Sequence, residues 1–220
     1  MTIADHNKSI KLDPMDAKAY KNRGLAYGQK GKFDKALADY TRAIELDPKY
    51  AVAYNNRGNV YAEIGNFGKA ISDYAKAISL NRKFADAYYN RGLAYDSKSH
   101  NEKAIADYTK AIEINPRDAE SLNNRGVDYD EKGEHDKAVA DYSKAIKLNP
   151  KYAKAYNNRG NAYAEKGEFD KAIADLNKAI KMNPKGANAY RNRGLVYNQK
   201  GEKNKARADF LKAKILGCYD

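Results

Sequence analysis

The sequence predicts an all-α fold, an α-solenoid built from antiparallel helix-turn-helix hairpins. One pattern recurs six times at a spacing of 34 residues, without insertion. It is visible in the tripeptide Asn-Arg-Gly, which begins at Asn22, Asn56, Asn90, Asn124, Asn158 and Asn192. A fixed period of this length is typical of proteins that stack copies of one supersecondary unit. Large and small residues recur at helical spacing inside each copy, so the repeated unit is helical.

The six repeats occupy residues 17–50, 51–84, 85–118, 119–152, 153–186 and 187–220, and residues 1–16 form a leading half repeat. We number the positions of a repeat from 1 to 34, so that Ala17 is position 1 of the first repeat. No linker or change of composition separates the repeats, and 42% of the residues are apolar. We therefore expect one elongated domain with a continuous stacked core.

The first helix of each repeat has a core side made of positions 4, 8 and 11. In the first repeat these are Tyr20, Gly24 and Tyr27, which cluster on one side of a helix. The small residue at position 8 lets the partner helix approach closely. A glycine at position 15 is expected to end the helix in a left-handed cap. It is present as Gly31, Gly65, Gly133, Gly167 and Gly201, whereas the third repeat has Ser99.

The second helix of each repeat has a core side made of positions 17, 20, 24 and 27. In the first repeat these are Phe33, Ala36, Tyr40 and Ala43. Proline at position 32 is expected to stop this helix, and it occurs as Pro48, Pro116, Pro150 and Pro184. Most of the 19 tyrosines fall on core positions 4, 11 and 24. We therefore expect them to pack in the interior rather than to stack on nucleic-acid bases.

Two charged positions border these apolar faces. Position 7 is arginine and position 23 is aspartate in every repeat. An unpaired charge there would cost roughly several kcal/mol, so we expect each arginine to form a bidentate ion pair with the aspartate of its own repeat. The predicted structural pairs are Arg23–Asp39, Arg57–Asp73, Arg91–Asp107, Arg125–Asp141, Arg159–Asp175 and Arg193–Asp209.

The two ends of the array differ from its middle. Arg207 and Lys214 stand where the other repeats are apolar, and the leading half repeat is likewise polar on the side that lacks a neighbour. Terminal elements of repeat arrays are expected to be polar on that side, so we expect a complete array with a cap at each end. Leu211, Ile215 and Leu216 remain apolar, so a homodimer through this tip stays open beside a monomer.

The pattern of aromatic, glycine, tyrosine and alanine positions resembles the tetratricopeptide repeat, and the resemblance covers the whole chain. Local departures are Leu122 at position 4, Leu176 and Phe210 at position 24, and Arg82 and Cys218 at the proline position. The resemblance implies a right-handed superhelix whose first helices form a concave groove from positions 2, 5, 6, 9 and 13. It also implies a noncatalytic scaffold that binds an extended peptide or a partner segment in this groove.

Position 6, on the groove side, is asparagine in all six repeats. A carboxamide donates and accepts hydrogen bonds as a peptide unit does, so this row predicts a ladder that holds an extended chain without reading its side chains. Lysine, glutamate or glutamine would favour a helix more strongly if hydration were the only need, and a merely hydrated face is the alternative. The row resembles the asparagine ladder of the O-linked N-acetylglucosamine transferase repeats. It would be widened by Asn59 and Asn161 at position 9 and by Asn55, Asn123 and Asn157 at position 5.

The residues beside the ladder are unevenly charged. Repeats three and four contribute the acidic residues Asp86, Asp96, Glu120, Asp130 and Glu131, whereas basic residues lie towards the two ends. We expect a protein or peptide ligand that is basic or of mixed charge at its centre, with an ordinary solvated charge distribution as the alternative. Tyr89 offers an aromatic contact, and Asp128 adds an acidic group at a position that is apolar in the other repeats.

One ligand of the family is not predicted for this chain. Some family members bind chaperone C-terminal tails through a two-carboxylate clamp of lysine, asparagine and arginine on three first helices. Lys21 and Asn56 match that set, but Leu25 replaces the second asparagine, and Asp86 and Asn90 replace the lysine and arginine. The clamp is therefore incomplete.

The net charge of +12 comes from 41 basic and 29 acidic residues, and its excess lies on one stripe of the second helices. Position 19 is always lysine (Lys35, Lys69, Lys103, Lys137, Lys171, Lys205) and position 26 is always basic (Arg42, Lys76, Lys110, Lys144, Lys178, Lys212). Such a stripe can bind a polyanion, either nucleic acid or an acidic surface. A solubilising face copied with each repeat is the favoured interpretation, and polyanion binding is the second candidate function.

Other function classes lack their sequence signatures. His6, His100 and His135 show no metal-ligand spacing, and no phosphate-binding glycine loop or nucleophile motif occurs, so we predict no enzyme and no cofactor. The single cysteine forbids an internal disulfide. The sequence holds no apolar run long enough for a membrane span and no signal peptide. We expect a soluble cytoplasmic protein.

Overall fold

Thirteen α-helices make up the part of the chain that the computed structural model describes, residues 2–218. No strand occurs among these residues, and the helices follow one another as hairpins, which confirms the predicted fold class. The chain falls into two compact units that divide between Asn115 and Pro116. The assignment of six repeats to one domain remains a prediction.

The first unit has one leading helix followed by three helical pairs, and the second unit has three helical pairs. The first unit contains α1 (Ile3–Leu12), α2 (Ala17–Gly28), α3 (Phe33–Leu46), α4 (Ala51–Glu63), α5 (Phe67–Leu80), α6 (Ala85–Asp96) and α7 (Asn101–Ile114). The second contains α8 (Ala119–Glu131), α9 (His135–Leu148), α10 (Ala153–Glu165), α11 (Phe169–Met182), α12 (Ala187–Gln199) and α13 (Lys203–Ile215).

Each pair is closed by contact between the glycine at position 8 and the large residue at position 24. A Cβ atom added to Gly126 would lie 2.7 Å from Cε1 of Tyr142, closer than Cβ atoms come in real structures. The same conflict occurs at Gly24, Gly58 and Gly92 against tyrosines, at Gly160 against Leu176 and at Gly194 against Phe210. Glycine is required here because the two helices touch, as the small residue at position 8 predicted.

The turn inside each pair needs a left-handed residue at position 15. The five glycines there have φ between 67° and 79°, which confirms the predicted caps. Past the turn, the N–H of Glu134 donates to the carbonyl of Tyr129 at 2.8 Å, the bond that closes a Schellman cap. Ser99 reaches the same conformation with φ of 57°, although a residue with a side chain is strained there.

Five of the six second helices end at position 30, and the residue at position 31 caps them whether or not proline follows. Asp47 caps α3 before Pro48, and Asn81 caps α5 in the same extended conformation although Arg82 follows. In both, the side-chain Oδ1 accepts a 3.0 Å hydrogen bond from the N–H two residues later. This turn, formed by asparagine or aspartate, terminates the helix without help from proline.

Within each unit, consecutive pairs pack through buried clusters that involve position 10 of the later first helix. Val60 of α4 packs with Ala36 and Tyr40 of α3 in the first unit. In the second unit, Ala162 of α10 packs in the same way against Ala138 and Tyr142 of α9. One side of these first helices is thereby buried, and the opposite side carries the candidate site.

Candidate functional site

Open clefts of the first unit lie along the outward side of its first helices. One cleft of about 370 Å³ lies between α2 and α4, and another of about 620 Å³ lies between α4 and α6. Asn56 lines the first cleft and Asn90 lines the second. Asn59 and Glu63 line both, so the two clefts share the outward side of α4 as a common wall.

The second unit holds a cleft of about 720 Å³ that runs from α8 past α10 to α12, the α8–α12 cleft. Its polar lining combines the carboxylates of Asp130, Glu131 and Glu165 with the amides of Asn158, Asn161, Asn192, Asn198 and Gln199. Val127 and Leu195 form apolar parts of its wall. Among the described residues, no lysine or arginine lines this cleft or the two clefts of the first unit, despite the net charge of +12.

Three of the position-6 asparagines are bonded to the preceding repeat. Their Nδ2 atoms donate to Oδ1 of a position-5 asparagine over 3.0 to 3.1 Å, from Asn90 to Asn55, from Asn158 to Asn123 and from Asn192 to Asn157. The donor side chains are half-buried. Hydrogen bonds between first helices therefore orient these three side chains, an arrangement that spacing within one repeat does not reveal.

The remaining position-6 asparagines have other neighbours. Oδ1 of Asn22 accepts from Nζ of Lys21 at 2.6 Å, and Oδ1 of Asn124 accepts from Nδ2 of Asn123 at 3.1 Å. Burial raises the pKa of Tyr40 to about 12, and a hydrogen bond with Asn56 opposes that shift. The position-6 row therefore borders the core tyrosines as well as the clefts.

Two asparagines that were expected to widen the ladder do not do so. Asn55 and Asn123 are only 5% and 0% exposed, and they act as acceptors for the position-6 side chain of the next repeat. The expectation was wrong for these two residues because position 5 is turned towards the neighbouring first helix. Asn157 is half-buried.

Position 9 is either an amide or an apolar residue. Asn161 lines the α8–α12 cleft, while Asn59 accepts a 2.8 Å hydrogen bond from the hydroxyl of Tyr74. Exposed leucines line the three clefts at the same position, namely Leu25 at 45%, Leu93 at 38% and Leu195 at 42% exposure. These leucines were not predicted from the sequence as residues that could contact a ligand. An apolar residue at an outward-facing position would have indicated it.

Of the five acidic residues expected beside the ladder, Asp130 and Glu131 line the α8–α12 cleft and Asp96 lines the cleft between α4 and α6. Oδ1 of Asp130 is 2.6 Å from Nδ1 of His135, which stands at position 17 in place of an aromatic residue. Burial raises the pKa of Asp130, and its hydrogen bond with His135 opposes that shift. Asp86 and Glu120 are exposed in the first turns of α6 and α8 and line none of the three clefts.

Two further residues lie deeper than expected. Asp128 is 3% exposed, so its carboxylate is part of the interior and does not add to the acidic surface of the groove. This corrects the expectation that Asp128 adds an acidic group to the groove surface. Tyr89 is half-buried, and its ring centroid lies 5.9 Å from that of Tyr108.

Every arginine at position 7 meets the aspartate at position 23 of its own repeat. Nε and Nη2 donate to the two carboxylate oxygens over 2.6 to 2.9 Å in all six pairs. The aspartates are 3 to 6% exposed. The hydrogen bonds with Asp39 raise the pKa of the Arg23 guanidinium, as the geometry of a charged pair requires.

The arginines also make contacts that the sequence pattern did not indicate. Nη1 of Arg57 donates to Oγ1 of Thr41 at 3.1 Å, and Nη1 of Arg159 donates to Oγ of Ser143 at 2.8 Å, in each case in the preceding repeat. Tyrosine rings at positions 4 and 11 lie 5.5 to 6.0 Å from the guanidinium carbon. Arg57 and Arg159 thus each link their own helical pair to the pair before it.

Much of the basic stripe of the second helices makes contacts within its own repeats. Nζ of each position-19 lysine lies 5.3 to 5.7 Å from the ring centroid of the position-11 tyrosine, a cation–π contact. At position 26, Arg42 pairs with Glu45 and Lys110 pairs with Glu113. These contacts favour a structural interpretation of the stripe over a ligand-binding one.

Other kinds of site have little support in the part of the chain that is described. No group of histidine, cysteine, aspartate and glutamate side chains there is arranged to hold a metal ion. Cys218 is a half-buried free thiol. No helix within residues 2–218 combines the length and the apolar composition needed to cross a bilayer.

Comparisons with known proteins agree with this architecture. Models of the tetratricopeptide repeat match residues 17–50, 39–72, 85–118 and 107–140, and a model of the TPR repeat matches 58–99, 128–167 and 160–201. No match was found among curated proteins.

Solved structures of similar chains include YrrB, a TPR protein with an unusual peptide-binding site, at 29% identity and a TM-score of 0.71, covering 84% of this chain and 95% of YrrB. MamA is similar at 33% identity and a TM-score of 0.70, covering 78% of this chain and 93% of MamA. A tetratricopeptide repeat protein from Parabacteroides merdae is similar at 26% identity and a TM-score of 0.71, covering 99% of this chain and 86% of that protein. The family models together reach from residue 17 to residue 201, and this chain belongs to the tetratricopeptide repeat family.

Proposed function

We propose that this protein is a noncatalytic scaffold that binds an extended peptide or a partner segment along the clefts of its first helices. The observation that carries the proposal is the lining of these three clefts, which combines amides, exposed leucines and carboxylates and contains no lysine or arginine among the described residues. Amides complement a peptide backbone, leucines contact apolar side chains, and carboxylates favour basic ones.

The asparagine ladder supplies the backbone contacts in this proposal. Its members are Asn22, Asn56, Asn90, Asn124, Asn158 and Asn192, with Asn59 and Asn161 beside them. Hydrogen bonds between repeats already orient three of these side chains, which lowers the entropy lost when a ligand binds. Each bonded carboxamide has a second N–H hydrogen with which it can meet a ligand carbonyl.

The similarity to YrrB supports a peptide ligand, because that protein has a peptide-binding site and resembles this chain over most of both lengths. Members of this repeat family generally act as noncatalytic scaffolds for protein–protein interaction. The acidic residues Asp86, Glu120 and Asp130, with Tyr89 as an aromatic contact, favour a segment that is basic at its centre.

Self-association through the C-terminal tip remains an alternative use of the surface. Leu211 and Ile215 of α13 are 59% and 69% exposed. Light scattering coupled to size-exclusion chromatography distinguishes a monomer from a dimer, and Leu211→Glu should abolish a dimer that uses this tip.

The test is a peptide-array screen followed by fluorescence anisotropy with the best labelled peptide. Asn161→Ala is a suitable variant, because Asn161 lines the α8–α12 cleft and its side chain makes no hydrogen bond to another described residue. We expect it to weaken binding by about tenfold, the size of one lost hydrogen bond in a desolvated site. Asn204→Ala, on the exposed face of α13, is the matched control and should bind as the unmodified protein does.

The outcome that refutes the proposal is binding unchanged by Asn161→Ala and by a second substitution, Asn90→Ala, in the first unit. Binding that survives both substitutions but disappears at raised salt and in a variant with Lys76, Lys144 and Lys212 changed to glutamate would instead favour a polyanion on the basic stripe.

A further inference from the structure

We propose that the α8–α12 cleft is a pocket for one arginine side chain of the bound segment. This inference rests on the proposed peptide binding and names the residue type that the second unit selects. Four observations carry it: a buried tyrosine whose hydroxyl has no partner among the described residues, the acidic lining, the apolar walls and the size of the cleft.

The hydroxyl belongs to Tyr142, which is 1% exposed and lines the cleft. Tyrosines at the same position in two preceding repeats have partners on the outward side, since Tyr74 donates to Oδ1 of Asn59 at 2.8 Å and Tyr108 donates to Asp96. No hydrogen bond from Tyr142 to any residue of the described chain accompanies its burial. The side chain is therefore almost wholly buried, and its hydroxyl at the cleft is left for a ligand group to hydrogen-bond with.

The lining of the cleft supplies negative charge around this hydroxyl. Asp130, Glu131 and Glu165 place their carboxylates on α8 and α10, and no lysine or arginine among the described residues lines the cleft with them, although His135 does. Asp130 uses Oδ1 for His135 and has Oδ2 as a second acceptor. Burial raises the pKa of Asp130 despite this contact, so its negative charge is only partly compensated and a cation would stabilise it.

Arginine fits this lining better than lysine does. A guanidinium group presents five N–H donors in one plane, which can bind carboxylates and the hydroxyl oxygen of Tyr142 together, whereas an ammonium group is a compact and strongly hydrated charge. Val127 and Leu195 provide apolar walls for the side-chain stem and for the flat faces of the guanidinium. The volume of about 720 Å³ holds such a side chain with its neighbouring backbone.

The clefts of the first unit lack this combination. In the α2–α4 cleft, Glu63 is the one carboxylate among the described lining residues, and Tyr40 is hydrogen-bonded to Asn56. The α4–α6 cleft contains Glu63 and Asp96, but Asp96 already accepts the hydroxyl hydrogen of Tyr108, and Tyr74 is bonded to Asn59. We therefore expect arginine selectivity from the second unit and not from the first.

The probe is N-acetyl-arginine methylamide, titrated into the full chain and followed by amide chemical shifts in NMR. Its neutral isostere N-acetyl-citrulline methylamide and the lysine analogue are the matched controls. We expect saturable shifts at residues of α8, α10 and α12, with citrulline binding at least about tenfold more weakly and lysine about threefold more weakly.

Two variants test the residues. Tyr142→Phe should fold normally, because Phe210 occupies the same position in the sixth repeat, and it should weaken arginine binding by about threefold to tenfold. Glu165→Gln should weaken it by about tenfold, whereas Glu63→Gln, at the same repeat position in α4, should leave it unchanged.

Equal affinity for the arginine and citrulline probes overturns the inference, as does arginine binding that survives both Tyr142→Phe and Glu165→Gln. Peptides that bind on the array without any preference for arginine would also overturn it and leave the proposed function standing. Saturable binding of the arginine probe with no peptide bound on the array would support the pocket and refute the proposed peptide function.

Discussion

Nε of Arg125 lies 2.7 Å from Oδ2 of Asp141, and Nη2 of the same guanidinium lies 2.8 Å from Oδ1. The two side chains are 14% and 5% exposed, so removal of either one leaves a largely buried charge without its partner. We expect Arg125→Ala and Asp141→Ala each to lower the free energy of unfolding by about 3–5 kcal/mol. The double substitution should lower it by clearly less than the sum, as measured by urea unfolding followed by circular dichroism.

The control for this cycle is Arg42 with Glu45, an ion pair on the surface of α3 whose side chains are 44% and 56% exposed. Exposed pairs are screened by water and salt, so this cycle should show no measurable coupling. Additive effects of Arg125→Ala and Asp141→Ala would show that the buried pair does not act as a unit.

The close contact between Gly126 and Tyr142 leads to a second prediction. Because a Cβ atom at Gly126 would lie 2.7 Å from the tyrosine ring, Gly126→Ala should lower the free energy of unfolding by about 1–3 kcal/mol. Gly28→Ala is the matched control, since a Cβ atom at Gly28 would meet no other atom within 4 Å, and it should raise stability by about 0.5–1 kcal/mol. Calorimetric melting temperatures that shift in the same direction for both variants would contradict this account.

The left-handed conformation of Ser99 makes a third prediction. With φ of 57° the serine is strained where five other repeats have glycine, so Ser99→Gly should stabilise the protein by about 0.5–1 kcal/mol. The reverse substitution, Gly133→Ser, should destabilise it by about 1 kcal/mol. A Cβ atom at Gly133 would meet no other atom within 4 Å, so the effect would arise from backbone conformation alone. A destabilising Ser99→Gly would show that the serine side chain contributes a contact that outweighs the strain.

The features that could be predicted from the sequence depend on residues of a single repeat. The contact of Gly126 with Tyr142, the left-handed glycines and the pairing of Arg125 with Asp141 each join positions whose spacing is fixed within 34 residues. Helical periodicity alone therefore places these side chains against each other.

The features that could not be predicted depend on which side chain a neighbouring repeat offers. Asn90 bonds to Asn55 because position 5 of the preceding repeat happens to be an asparagine, and that bond buries Asn55 instead of exposing it in the groove. Tyr142 lacks a partner, among the described residues, of the kind that Tyr74 has, although both stand at position 24. The repeat pattern predicts the same contacts for residues at the same position. Only the side chains that surround each residue in the structure distinguish them.

The last prediction concerns the stability of the fold at alkaline pH and follows from the buried tyrosines. Burial raises the pKa of Tyr40 to about 12, above the ordinary value near 10, and it also raises the pKa of Tyr74 and Tyr142. The folded protein therefore keeps phenol protons at a pH at which the unfolded chain releases them. The corresponding stability is complete below about pH 10 and is lost as the pH rises through about 12.

Urea unfolding at several pH values between about 8 and 12 should show this loss, and absorbance of tyrosinate should report the titration itself. Tyr40→Phe is the informative variant, because it removes one such phenol while the lysines, which also lose charge in this range, stay the same. The free energy of unfolding should fall less steeply with pH in Tyr40→Phe than in the unmodified protein. Equal slopes would mean that Tyr40 ionises with the same pKa in the folded and unfolded states, contrary to its burial at 2% exposure beneath Gly24.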